Sequence, residues 1–155
     1  MRTNDQKILI TGGGSGIGLM CVGAGRVALE LQARGCDVVG IDISSGAVEV
    51  ARSRGVNDAR HLAFEDVDGS LGRFDTLVMF GNNFGLFGSR AKARRLLRRL
   101  RPFVGRIVAT SNDPYATDDP AHLGYQERNR ARGRMSGQLR LRVRYRDLVG
   151  PWFES

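Results

Sequence analysis

"ILITGGGSGIGLMCVGAGRVALELQARG", Ile8 to Gly35, opens on an apolar run, crosses two glycine clusters and closes on a helical pattern. Lys7-Ile8-Leu9-Ile10-Thr11 has the unbroken apolar character of a buried strand. The first cluster, Gly12-Gly13-Gly14-Ser15-Gly16-Ile17-Gly18, follows at once; the second is Gly23-Ala24-Gly25. From Arg26 onward Val27, Ala28, Leu29, Leu31 and Ala33 suit a helix that Gly35 stops at its C-terminal cap. Strand, glycine turn and helix in succession make the first half of a β-α-β unit. Such a unit needs one glycine turn, and this chain offers two.

The pattern repeats downstream. Asp37–Ile43 reads as a second strand, and Ser44 or Ser45 can cap a helix over Ala47–Arg54 that Gly55 ends. Arg60–Phe64 is a weak third strand and Phe74–Phe80 a fourth, closed by Gly81-Asn82-Asn83. Arg90–Arg101 is a basic helix with Leu96, Leu97 and Leu100 on one face, stopped by Pro102, and Arg106–Thr110 is a fifth strand. Alternating strands and helices joined by short loops predict an α/β, Rossmann-like domain: a mostly parallel sheet with helices on both faces. Ligands of such sheets sit beyond the carboxyl ends of the strands, so the loops after Thr11, Ile43, Phe64 and Phe80 define the functional rim. Residues 1–155 are read as one domain. Within it, residues 1–22 form an atypical first strand and glycine loop, and residues 113–155 a substrate-side insertion with a basic β-strand.

Composition narrows the class. A chain of 155 residues is enough for one real core and short for two. No apolar run approaches the ~20 residues of a membrane span, and Met1–Lys7 lacks the apolar centre of a signal peptide. Cys21 and Cys36 have neither metal-site spacing nor the density of a disulfide scaffold, so no metal is expected and the cytoplasm is the default compartment. The net charge of +8 comes almost wholly from arginine, Lys7 and Lys92 being the only lysines. That bias has a compositional reading and a functional one, an acidic partner such as nucleic acid.

The two glycine clusters resemble two different families. Thr11-Gly12-x-x-x-Gly16-x-Gly18, with Asp66-Val67 and Asn82-Asn83-Phe84-Gly85, resembles the short-chain dehydrogenase/reductase family, which implies NAD(P). That family's catalytic tyrosine precedes a lysine by four residues. Here the residues four after Tyr115, Tyr125 and Tyr145 are Asp119, Asn129 and Val149. From Gly23 on, Gly23-Ala24-Gly25-Arg26-Val27-Ala28-Leu29, Val38–Ser44 and Gly72–Val78 resemble the class I S-adenosylmethionine-dependent methyltransferases. Gly81–Leu86, Ser111–Tyr115 and Arg142–Phe153 extend that likeness to the end of the chain. The family's loop opens on an acidic residue and a glycine, and Leu19 and Cys21 stand in those two places.

The methyltransferase resemblance implies S-adenosylmethionine as cofactor and a small-molecule methyl acceptor, with Gly23, Gly25, Asp42, Ile43, Asp66, Gly81 and Asn82 binding the cofactor. Asp42, ending the second strand, is placed to accept both ribose hydroxyls, and Asp66 to meet the adenine amino group. No residue stands out as a catalytic base. His61 and His122, far apart and without carboxylate or cysteine neighbours at ligand spacing, read as structural or exposed. Leu139–Arg146 alternates apolar and basic residues, which predicts one strand with a wet arginine face and no aromatic on that face. Two alternatives stand beside the leading reading: an NAD(P)-binding dehydrogenase relative without the Tyr-Lys pair, and a non-catalytic basic domain that binds nucleic acid. The class I fold continues after its fifth strand with a helix and two more strands, so this sheet is expected to be truncated at its C-terminus. Strand five would then have an open edge, with Ile107 and Val108 uncovered. Homo-oligomer formation through that edge, aggregation, or cover by the Leu139–Arg146 strand would follow.

Overall fold

The computed structural model describes residues 6–12, 25–81, 83–111, 113–142, 144–145, 147–149 and 152–154. Its centre is a parallel sheet of β1 (Lys7–Thr11), β2 (Asp37–Asp42), β3 (Asp58–His61), β4 (Phe74–Met79) and β5 (Val104–Ala109), ordered β3-β2-β1-β4-β5. The strand order reverses at β1, where Ile8, Leu9 and Ile10 lie beside Val38, Val39 and Gly40 on one side and Thr76, Leu77 and Val78 on the other. Ligand crevices of open parallel sheets form at such a reversal. The Rossmann-like fold expected from the strand–helix alternation is therefore the fold observed.

Period-two alternation sends neighbouring strand residues to opposite faces, and both faces are apolar. Ile8, Ile10, Val38, Ala59 and Val78 pack with Ala28 of α1 (Arg26–Ala33) and with Val48 and Ala51 of α2 (Ser45–Ser53). Leu9, Val39, Ile41, Leu77 and Met79 pack on the other face with Leu96 and Leu100 of α3 (Arg90–Leu100), and with Phe64, Phe87 and Phe103. Gly25 caps α1 with φ 95°, and a β-carbon there would come within 2.7 Å of Val56 Cγ2, so only glycine fits. Ser44 caps α2 by accepting the Ala47 N–H at 3.2 Å. Ser44→Ala should remove about 1 kcal/mol, read as a melting temperature lowered by roughly 2–4 °C for a chain of this size.

Three expectations need correction. The third strand is Asp58–His61 rather than Arg60–Phe64: Phe64 is buried in a 3-10 turn, Phe64–Asp66, packed edge-on against Phe87 at 5.5 Å. Within residues 113–155 the chain also forms a helix, α4 (Pro120–Ala131), started by Asp119, whose carboxylate accepts the Ala121 N–H at 2.7 Å. The single basic strand is instead two short pieces in separate antiparallel pairs. These are β6 (Arg140–Leu141) with β9 (Phe153–Glu154), and β7 (Arg144–Tyr145) with β8 (Leu148–Val149). Its arginines are not without an aromatic, because the Trp152 ring lies 5.1 Å from the Arg140 guanidinium and 4.8 Å from that of Arg142.

Among the described residues neither short pair joins the main sheet, so Leu139–Arg146 adds no strand beside β5, which lies at the sheet's edge. Val108 is 42% exposed there, whereas Ile107 packs against the core. Arg106 of β5 is held across the strand by Thr76 Oγ1 at 2.8 Å and Gln6 Oε1 at 3.3 Å, a charged side chain of the kind that discourages edge pairing. No described helix is long and apolar enough to cross a membrane.

Candidate functional site

The carboxyl ends of β1 and β2 meet at Gly12 and Asp42. The Gly12 N–H donates to the Ile41 carbonyl at 2.6 Å, which draws the chain leaving β1 against the end of β2. Asp42 Oδ1 accepts the Ser44 N–H at 2.8 Å, fixing the carboxylate's orientation. Its Oδ2 faces Gly12 so closely that a β-carbon on Gly12 would overlap it. Gly12, absent from the expected site residues, thus belongs to the site. The strand-then-glycine step Thr11-Gly12 signalled a turn in the sequence, but not that the turn lies against Asp42.

Burial pushes the Asp42 carboxyl above the ordinary aspartate range, opposed by the Ser44 N–H, the nearby His61 and the Ile43 N–H. His61 pairs in register with Asp42 and donates from Nε2 to the Ile43 carbonyl at 2.8 Å. This bond ties the end of β3 to the strand end that carries Asp42. A half-buried carboxylate with one oxygen held by a backbone amide leaves the other to accept from a ligand hydroxyl.

The expected cofactor residues do not all converge. Gly25 and Asp42 line one cavity of about 60 Å³ together with Gly12 and Gly40. Ile43 follows Asp42 and is 46% exposed. Asp66 lies exposed in the 3-10 turn after β3 and does not line that cavity. Gly81 ends the β4 segment with φ 70°. Gly23 and Asn82 lie outside the described residues.

A much larger cavity, about 860 Å³, opens beyond β4 and β5. Its walls are the turn and first residues of α3 (Gly85–Ala93), the loop after β5 (Ser111–Thr117), α4, and the strip Met135–Leu139. Buried amides fasten these walls together. Gln126 Nε2 donates to the Pro114 carbonyl at 2.6 Å, and Asn129 Nδ2 to the carbonyls of Ser136 at 3.0 Å and Gln138 at 2.7 Å. Tyr125 turns its hydroxyl to the Arg140 N–H at 3.2 Å. His122 lines this cavity, its Nδ1 3.2 Å from Thr117 Oγ1. Sequence reasoning missed this cavity because α4 carries no apolar stripe to announce it.

The methyltransferase-domain family matches residues 19–103, more than half of the chain. The match begins past the first glycine cluster, in line with the methyltransferase-like character of the sequence from Gly23. A methyltransferase from Bacteroides fragilis, crystallised with S-adenosyl-L-homocysteine, superposes with a TM-score of 0.64 and 26% identity, over 97% of this chain and 57% of its own. The chain therefore spans little more than half the length of that relative. Two further structures share the fold. One, from Listeria monocytogenes, is described as a methyltransferase dependent on S-adenosylmethionine (TM-score 0.61, 11% identity, 99% of this chain and 71% of that one). The other is the sugar N-methyltransferase KedS8 from Streptoalloteichus (0.58, 16%, 93% and 50%). No curated protein matches the chain. The match favours neither the dehydrogenase nor the nucleic-acid alternative: the chain belongs to the class I S-adenosylmethionine-dependent methyltransferase family.

Proposed function

We propose that the chain binds S-adenosylmethionine at the carboxyl ends of β1 and β2, beside the reversal in strand order, and transfers its methyl group to a small molecule seated in the 860 Å³ cavity. The observation that carries the reading is the Asp42 carboxylate, oriented by Ser44 and laid against Gly12 at the strand ends of a methyltransferase fold. Bound there, the cofactor would supply an electrophilic methyl on sulfur. The protein's contribution is position, since holding two reactants in line removes most of the entropic barrier to displacement. Asp42 would accept the ribose hydroxyls, Gly12 and Gly25 would let the backbone approach, and Ile43 and Asp66 would flank the adenine, with Gly23, Gly81 and Asn82 completing the set that the family resemblance implies.

Leu19 stands where the family has a carboxylate, so one charge-assisted contact of about 1.5–3 kcal/mol is missing and the affinity should be modest. Self-association, if it runs through the β5 edge, would use the exposed Val108 against the opposition of the charged Arg106, and sedimentation would read it as a dimer. Cytoplasmic work fits the thiol of Cys36.

A melting series tests the cofactor. S-adenosylhomocysteine at one hundred times its dissociation constant stabilises a folded protein by about 2.7 kcal/mol. At roughly 2–4 °C per kcal/mol the rise is easily seen. NAD and NADP at equal concentration should give less, and a larger rise with either would overturn the cofactor reading.

A further inference from the structure

We propose that the molecule held in the 860 Å³ cavity is a flat aromatic acid, with Arg90 and Arg128 receiving its ionised group. The proposal rests on the methyltransferase reading for the word acceptor. The charge and shape of the ligand come from the cavity itself. Its size falls within the ~300–1,000 Å³ of small-molecule sites. Phe87, Tyr115 and Tyr125 put aromatic side chains in its lining, and Pro114, Met135 and Leu139 apolar ones.

The charged groups of the lining are unbalanced. Arg90 and Arg128 face one carboxylate, Asp113, and an oxygen of that carboxylate already accepts the Tyr115 N–H at 2.9 Å. Neither arginine forms an ion pair among the described residues. Lys92, two residues beyond Arg90, is by contrast tied to Glu65 at 2.5 Å, and the first turn of α3 holds no acidic residue to neutralise Arg90.

Arg128 is also held in place. Its guanidinium lies 5.8 Å from the centre of the Tyr125 ring, whose hydroxyl is fixed by the Arg140 amide. A guanidinium within cation–π range of a ring is drawn toward it while its N–H groups can still donate, and a guanidinium matches a carboxylate by two parallel hydrogen bonds. An ammonium ligand would meet two cations instead, and a neutral one would gain nothing from either charge.

Two probes of one shape and opposite charge decide the matter: 4-hydroxybenzoate and 4-hydroxybenzylamine, titrated calorimetrically into the full chain with S-adenosylhomocysteine present. The expected result is at least tenfold tighter binding of the benzoate. Arg90→Gln and Arg128→Gln should each weaken it about fivefold or more, and Arg128→Lys should restore only part of the loss. Both positions are exposed, so these variants should melt as the parent does and hold S-adenosylhomocysteine equally well. Equal affinity for the two probes, tighter binding of the amine, no saturable binding of either at millimolar concentration, or a benzoate affinity indifferent to both arginines would overturn the proposal. Benzoate binding by a chain that ignores S-adenosylhomocysteine would support the ligand class while removing the methyltransferase reading. The reverse pattern would remove the ligand class alone.

Discussion

Asp42→Asn is expected to do two opposite things: weaken S-adenosylhomocysteine binding roughly 10- to 150-fold and stabilise the ligand-free protein at neutral pH. The first effect is the loss of a charged acceptor for the ribose hydroxyls, about 1.5–3 kcal/mol. The second follows from burial, the main reason the folded Asp42 titrates above its ordinary range. A native pKa above the unfolded one means that the folded state takes up the proton more readily. The stability this provides is complete below the unfolded aspartate's range and is lost as pH rises through the raised native value. At neutral pH the ionised group is thus a net cost, which an amide of the same shape removes. Asparagine keeps an oxygen for the Ser44 N–H, so the local geometry survives. Calorimetry gives the first number and a melting series across acid to neutral pH the second. An unchanged ligand affinity would place Asp42 outside the site. A neutral-pH melting temperature below the parent's would show that burial is not what governs its titration.

Leu77→Ala should lower folding stability by about 2–5 kcal/mol, the range for emptying a fully enclosed leucine site. Leu77 is wholly buried in β4, between β1 and β5, with Leu9 and Met79 in the same core layer. Single domains hold only about 5–15 kcal/mol in all, so this variant should lie near the limit of folding. Val108→Ala on β5, at a half-exposed position, should remove less than about 1 kcal/mol. Urea midpoints compare the two, and similar losses would contradict a core centred on β1 and β4.

The parts of the fold that the sequence announced are those whose side chains obey one local rule. β1, β2 and β4 are apolar runs ended by glycine or polar residues, and α2 begins at Ser44, one of the two caps expected. β3 was misplaced by two or three residues because Leu62-Ala63-Phe64 is more apolar than the strand itself, in which Arg60 and His61 are exposed. α4 escaped notice for a related reason. The residues it buries are Gln126 and Asn129, amides that bind loop carbonyls rather than apolar neighbours. A helix docked through amides has no hydrophobic period to read. The site divided in the same way. Asp42 was legible from its place at a strand end, whereas the contact of Gly12 with it joins residues 30 apart in the chain and depends on β1 pairing with β2.

The position of β1 between β2 and β4 has a consequence in time. A ribosome adding about 5–20 residues per second releases Met79 roughly 3–14 s after Thr11. Through that interval β1 can pair with β2, but the side that will receive β4 has no partner of its own chain. Closing the β1–β4 seam joins residues almost 70 positions apart, and such distant pairings form slowly. The first strand to be made is therefore enclosed only when the fourth arrives, and its apolar Ile8-Leu9-Ile10 is the segment a nascent-chain chaperone would meet.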